Sequence, residues 1–243
     1  VVLGPRADAP FPPPERACTE PDGLLAIGGG LEPERLLRAY AEGIFPWYEA
    51  GQPLLWWSPD PRAVFETDRM HLPRRLARRL RQLDWTVHAD HDFDAVIRAC
   101  ASIPRRGQRG SWITPAMQAA YTALHACGHA HSIEVRDGDG TLIGGLYGVA
   151  VGQLFSGESM FSRAPGASQV ALLALARRLS AWGWPLLDAQ LMNPHTARFG
   201  AVEWPRATYL ARIGPLVARD EPAADWRGRF GTLPAAALTQ PAA

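Results

Sequence analysis

The chain has 243 residues, 47% of them apolar and 20% charged, with a formal net charge of +1. That is the composition of a globular protein with a core of ordinary size, and it excludes disordered and collagen-like classes. All 25 basic residues are Arg, so lysine nucleophiles, Schiff-base lysines and lysine phosphate clamps are excluded as well.

Residues 1–62 are rich in Pro, Gly and Trp and read as a small N-terminal domain of turns pinned by aromatics. One helix is predicted over about 32–42, opened by Pro33 and closed by Gly43. From 63 the chain alternates strands and helices, and 63–232 reads as a second domain. The apolar spacing of Leu72, Leu76, Leu80 and Leu83 predicts a helix over 71–83, with Arg74, Arg75, Arg78, Arg79 and Arg81 on its other faces. A helix over 90–101 is capped by Asp90 or Asp92. An Arg-rich loop carrying Arg105, Arg106 and Arg109 follows, then a helix from Thr114, with Pro115 at its first position, to about Cys127.

"HSIEVRD" and "TLIGGLYGVAV" flank the turn "GDG" and predict a hairpin. A turn at Gly152-Gln153 leads into "LFSGESMF", a long helix over 167–183 ends at Gly183, and "PLLDAQ" reads as a buried strand. The tail 233–243 is expected to be disordered. This order of elements predicts an α+β (mixed α/β) protein with an acyltransferase-like sheet rather than a doubly wound nucleotide fold.

No apolar run reaches membrane-spanning length and the N-terminus lacks signal-peptide order. Three scattered cysteines, Cys18, Cys100 and Cys127, point to a reducing compartment; cytoplasm is expected, with no membrane partner.

Two strands carry acids on apolar backgrounds. Side chains alternate faces along a strand, so Asp188 and Gln190 share one, roughly 7 Å apart, and Ser156, Glu158 and Met160 share another. These are two walls of one site, or a buried polar network; both readings stand. "HACGHAH" brings His125, Cys127, His129 and His131 close in sequence, but the spacing crosses a helix end and a turn, and no metal is expected there. The glycines of "GGLYGVAVG" do not form a phosphate loop. The Arg face of 71–83 offers a phosphate-binding surface or a solvated face, and tryptophans, among them Trp47 and Trp112, offer surfaces for stacking a nucleobase.

"GLLAIGGGL", "AYAEGIFPWY", "LLWWSPDPRAV", "SWITPAMQAAY", "LHACGHAHSIEV", "GGLYGVAVGQLFSGESMFS" and "LDAQLMNPHTARFGA" occur in the order seen in bacterial leucyl/phenylalanyl-tRNA–protein transferases, and the chain resembles that family from about Phe11 to Leu210. The resemblance implies a C-terminal domain like the acetyltransferase (GNAT) fold. It implies transfer of leucine or phenylalanine, with methionine as a further donor, from aminoacyl-tRNA to the α-amine of proteins beginning with Arg or Lys, a mark for degradation. A monomer is expected, and no cofactor.

On the matching positions it implies catalytic roles for Glu158, Asp188 and Gln190, with Asp188 orienting the incoming α-ammonium. Trp47 and Trp112 are expected to hold the terminal adenosine, and Arg74, Arg75, Arg78 and Arg79 the acceptor stem. An apolar pocket for the aminoacyl side chain is expected from Leu146, Phe155, Met160, Leu172, Leu175, Leu179 and Leu187. The chain departs from the family pattern in having "GASQ" for "NASK", "DAQ" for "DCQ" and "HTARFGA" for "HTASLGA", and Leu175 and Leu179 stand where relatives often carry aromatics. Two rival readings are a GNAT-like enzyme using acyl-CoA and a non-catalytic RNA-binding module.

Overall fold

A computed structural model describes residues 1–103, 111–219, 221 and 225–240. Arg105, Arg106 and Arg109 lie outside the described residues. The N-terminal elements are β1 (Val2–Leu3), β2 (Leu24–Gly28), α1 (Pro33–Ala41), β3 (Phe45–Pro46) and β4 (Leu55–Trp57). They form a four-stranded sheet in the order β1-β2-β4-β3. Helix α1 starts with Pro in its first turn, where no backbone N–H is needed. It stops at Gly43, whose φ of 72° is open to glycine at little cost.

The main sheet is built from β5 (Arg62–Glu66), then α2 (Arg74–Leu80), β6 (Thr86–Ala89), α3 (Phe93–Ser102), α4 (Pro115–Ala126) and β7 (Ala130–Arg136). Then come β8 (Leu142–Val151), β9 (Leu154–Ser162), α5 (Ala167–Ala181), β10 (Leu186–Gln190) and α6 (Pro194–Arg198). The chain ends with β11 (Val202–Trp204), α7 (Arg206–Val217), α8 (Trp226–Phe230) and β12 (Leu233–Pro234). The strand order is β11-β5-β10-β9-β8-β7-β6-β12. Strands β9 and β10 run parallel, as the intervening α5 crossover requires, and the other neighbours are antiparallel.

Nearly every position of β8 is buried, the signature of a central strand covered on both faces. Helix α5 packs on one face, and a Cβ on Gly144 would lie 2.4 Å from the Ala167 Cβ, so glycine lets the helix start sit against the strand. On the other face α1, α3 and α4 share one core with the N-terminal sheet, where Leu25, Leu36 and Trp56 join Ile97, Tyr121 and Tyr147. The first sheet therefore does not keep a core of its own.

Side-chain caps match the sequence at α4, where Thr114 accepts from the Met117 N–H, and at α3, where Asp92 accepts from the Ala95 N–H. Helix α2 is shorter than its apolar spacing suggests. It begins after Pro73, and only Leu76 and Leu80 are buried while Leu72 and Leu83 pack from the flanking turns. The tail is also different from expectation over residues 233–240. Strand β12 pairs with β6, a 3-10 turn spans Ala235–Thr239, and Ala235 and Leu238 are buried. Arg177 binds the carbonyls of Ala237, Leu238 and Gln240. Low-complexity composition is overridden there by an open sheet edge and an Arg clamp.

Candidate active site

A cavity of about 630 Å³ opens among β8, β9, β10 and α5, bordered by Trp47 and Trp112. Its chemistry begins with an irregularity in β9. Gly157 pairs with Gly148 and Ser159 with Tyr147, which leaves Glu158 without a ladder partner. This bulge breaks the alternation expected from sequence. Met160 packs with the α5 core beside Leu146 and Phe155, while Glu158 turns to α1 and α4. There Tyr40 and Gln190 donate to its Oε1 at 2.8 and 2.6 Å, and Tyr121 donates to Oε2 at 3.0 Å. The Tyr40 and Tyr121 hydroxyl oxygens also sit against one another, and with both protons given to Glu158 neither has one left for the other.

Burial raises the Glu158 pKa to about 7; the three donated hydrogen bonds oppose that rise and the nearby Asp188 adds to it. Glu158 can therefore give or take a proton at neutral pH. Burial, and then the Glu158 charge, push both tyrosines well above the ordinary phenol range, so they remain donors.

Asp188 behaves differently. It borders the cavity but its side chain is fully buried. Arg62 donates to both its oxygens, at 2.8 and 2.6 Å. Ser156 and Tyr209 donate to Oδ2 at 3.2 and 3.0 Å, and the Gln190 backbone N–H to Oδ1 at 2.9 Å. Five donors leave no lone pair open, and this is the kind of satisfaction that a buried ion pair needs. Direct contact of Asp188 with an incoming ammonium is thus not what the geometry offers. Burial alone would lower the Arg62 pKa, but Asp188 and Tyr209 reverse this and raise it, so the guanidinium stays charged between the rings of Phe45 and Tyr209.

Asp188 and Gln190 do not share a face in the simple sense either. The register shifts between them, and Gln190 adopts φ 62°, a left-handed conformation that non-glycine residues seldom take. That turn sends its amide across to Glu158.

Leu146, Phe155, Met160, Leu172, Leu175 and Leu187 line the cavity as expected. Leu179 does not; it is fully buried in the core beneath. Helical periodicity places Leu172, Leu175 and Leu179 on one side, but the cavity ends before the last. Arg74, Arg75, Arg78 and Arg79 are exposed on α2 and none borders the cavity. Arg79 also donates to the Pro165 carbonyl at 2.7 Å and lies over the Trp85 ring.

Of the sequence-adjacent histidines, His125 and His131 meet at Asp90, which sequence reading did not include, while Cys127 and His129 stay outside the cluster. The ring nitrogens that face it are engaged: His131 Nδ1 contacts Asp90 at 2.7 Å and His125 Nδ1 the Ala130 carbonyl at 2.7 Å. This is a hydrogen-bonded joint between α4 and β7.

Sequence reading missed Tyr40, Tyr121, Arg62 and Tyr209, all at most 1% exposed. Tyr40 shares the apolar side of α1 with Leu36 and Ala39, and a hydroxyl on a buried face is a signal that something must pair with it. His195 was missed too. It borders the cavity, and burial followed by the Arg198 charge lowers its pKa.

The family model described as leucyl/phenylalanyl-tRNA protein transferase matches residues 64–214, and that of the family's N-terminal domain matches 29–60. A protein of Xanthomonas euvesicatoria pv. vesicatoria (strain 85-10) bearing the name leucyl/phenylalanyl-tRNA–protein transferase is 58% identical over 239 residues, 98% of this chain and 95% of its own length. A protein of the same name from Xylella fastidiosa (strain M23) is 55% identical, covering 95% of this chain and 94% of its own. The structure of L-PGS from Bacillus licheniformis overlaps at a TM-score of 0.43 with 12% identity, over 80% of this chain and 73% of that one, too loose a likeness to inform on fold or chemistry.

Proposed function

We propose, since the chain belongs to the leucyl/phenylalanyl-tRNA protein transferase family, that it moves leucine or phenylalanine from aminoacyl-tRNA to the α-amine of a protein beginning with Arg or Lys, which marks that protein for degradation. Methionine is a further donor of suitable shape. The observation that carries the reading is Glu158, a carboxylate near half-ionised at neutral pH, held by three donors at the wall of an apolar cavity.

The acceptor's α-ammonium, with a pKa near 8, is already partly neutral in the cell. Glu158 takes up the proton it gives away. The amine nitrogen then attacks the ester carbonyl carbon; the C–N bond forms, the C–O bond to the tRNA breaks, and the second proton that the nitrogen sheds passes to the departing 3′ oxygen, which leaves as a free hydroxyl. An ester is activated toward an amine, so positioning carries much of the rate. Gln190 is placed to bond near the reacting amine or carbonyl. Asp188 acts from behind it.

The aminoacyl side chain fills the space edged by Leu146, Phe155, Met160, Leu172, Leu175 and Leu187. Trp47 and Trp112 stack the terminal adenosine. The exposed Arg74, Arg75, Arg78 and Arg79 meet acceptor-stem phosphates, which fix position without reading sequence. No cofactor takes part. The enzyme acts as a monomer in the cytoplasm; among the described residues no helix is long and apolar enough to cross a membrane.

The test is transfer of labelled leucine from leucyl-tRNA to a peptide starting with Arg and to the same peptide starting with Ala. Label on the Arg peptide alone is expected. Equal labelling of both removes the acceptor rule, and none on either, with tRNA still bound, makes this a binding protein.

A further inference from the structure

The left-handed turn at Gln190 is strained for a residue with a side chain, and strain persists only where the surroundings enforce it. Here the enforcing interaction is the bond from the Gln190 N–H to Asp188 Oδ1 at 2.9 Å. Asp188 is itself held in place from the opposite side: Arg62 grips both oxygens and Tyr209 donates to Oδ2. Arg62 in turn is fixed by its bond to the Gly43 carbonyl at 3.1 Å and by the Phe45 and Tyr209 rings, whose centroids lie 4.8 and 4.7 Å from its guanidinium carbon. A continuous path therefore runs from the end of α1 through Arg62 and Asp188 to the Gln190 backbone, and from the Gln190 amide to Glu158. Arg62 and Tyr209 do not border the cavity.

We infer that Arg62, seconded by Tyr209, is a positioning residue for aminoacyl transfer, which holds the Asp188 carboxylate so that Gln190 keeps the turn that aims its amide at Glu158. The inference rests on the transfer reading above. The need for a guanidinium follows from the geometry. Two parallel N–H bonds fix the plane of the carboxylate, and that plane directs Oδ1 at the Gln190 N–H; an ammonium supplies the same charge at a single point. Without that constraint the Gln190 backbone relaxes toward ordinary extended strand, and its side chain swings away from Glu158.

The test compares wild type with Arg62→Lys, Tyr209→Phe, Asp188→Asn and the double variant Arg62→Lys/Asp188→Asn. It measures labelled leucine moved from leucyl-tRNA to the Arg-starting peptide. Wild-type transfer separates failure of the transfer reading from failure of this one. Arg62→Lys is expected to lower kcat by about 10- to 100-fold, since misplacement by an ångström has that scale of effect. KM for leucyl-tRNA should stay within about twofold, because Arg62 does not face the cavity.

Tyr209→Phe keeps the ring over Arg62 and loses one hydrogen bond. It is expected to fold and to lose several-fold in kcat in the same pattern, which keeps the test open if the Lys variant is unstable. If Arg62 acts through Asp188, the double variant is no slower than Asp188→Asn alone. Full kcat in both Arg62→Lys and Tyr209→Phe, a rise in KM instead of a fall in kcat, or losses that multiply in the double variant would each overturn the proposal.

Discussion

Replacing Glu158 by Gln isolates the one carboxylate whose environment is set against its charge. Gln has nearly the same shape. Its carbonyl can accept from Tyr40 and Gln190 as Oε1 does, and its amide can donate to the Tyr121 hydroxyl where Oε2 now accepts. The packing is retained and the titration is lost.

The folded-state pKa is raised from 4.5 to about 7. Between those values the unfolded chain has released the Glu158 proton and the folded chain still holds it. Wild-type stability is therefore lost as pH rises through this window, by about 1.4 kcal/mol per pH unit at most. The gap of about 2.5 units sets a ceiling of about 3 kcal/mol for the whole window, of which about 2 kcal/mol falls between pH 5 and pH 8, because the window opens below pH 5. Urea unfolding of wild type and E158Q at pH 5, 6, 7 and 8 reads this directly, because every other titrating group is common to both. E158Q should gain about 2 kcal/mol on wild type between pH 5 and pH 8. A difference that stays flat with pH, or that runs the other way, refutes the claim that burial dominates at Glu158.

Changing Arg74, Arg75, Arg78 and Arg79 together to Ala should weaken binding of all aminoacyl-tRNAs alike. It should flatten the salt dependence by roughly 0.7–0.9 in log–log slope for each phosphate left without its Arg; an unchanged slope would place the phosphates elsewhere. Of the four, Arg79→Ala should also cost about 1 kcal/mol of stability, seen as a lower Tm, through its bond to Pro165 and its place over Trp85.

Leu175→Phe extends into the cavity and should raise the ratio of leucyl to phenylalanyl kcat/KM by about tenfold or more, whereas Leu179→Ala should cost about 2–5 kcal/mol of stability and leave that ratio unchanged. A chain ending at Thr232 should unfold at distinctly lower urea concentration, since it loses the β12 pairing and the buried Ala235 and Leu238. Equal midpoints would mean that the edge of β6 needs no cover.

The sequence by itself determined those elements whose signals are local chemistry. Thr114 before Pro115, Asp92 before a helix and "GDG" between strands act within a few residues of chain, and each stands where it was read. It also determined the family, since motifs in fixed order survive without any knowledge of contacts, and it picked out Glu158, Asp188 and Gln190 as acids and amide out of place in apolar strands.

Tertiary structure alone decided what each of them does. The bulge at Glu158 and the positive φ at Gln190 break a two-residue period that sequence reading has to assume. The partners that divide the two acids come from far along the chain: Arg62 lies 126 residues from Asp188, and Tyr40 lies 118 from Glu158. A carboxylate facing a guanidinium and one facing two phenols look alike in a strand read alone. Their charge, and with it their chemistry, belongs to whatever the fold packs opposite them.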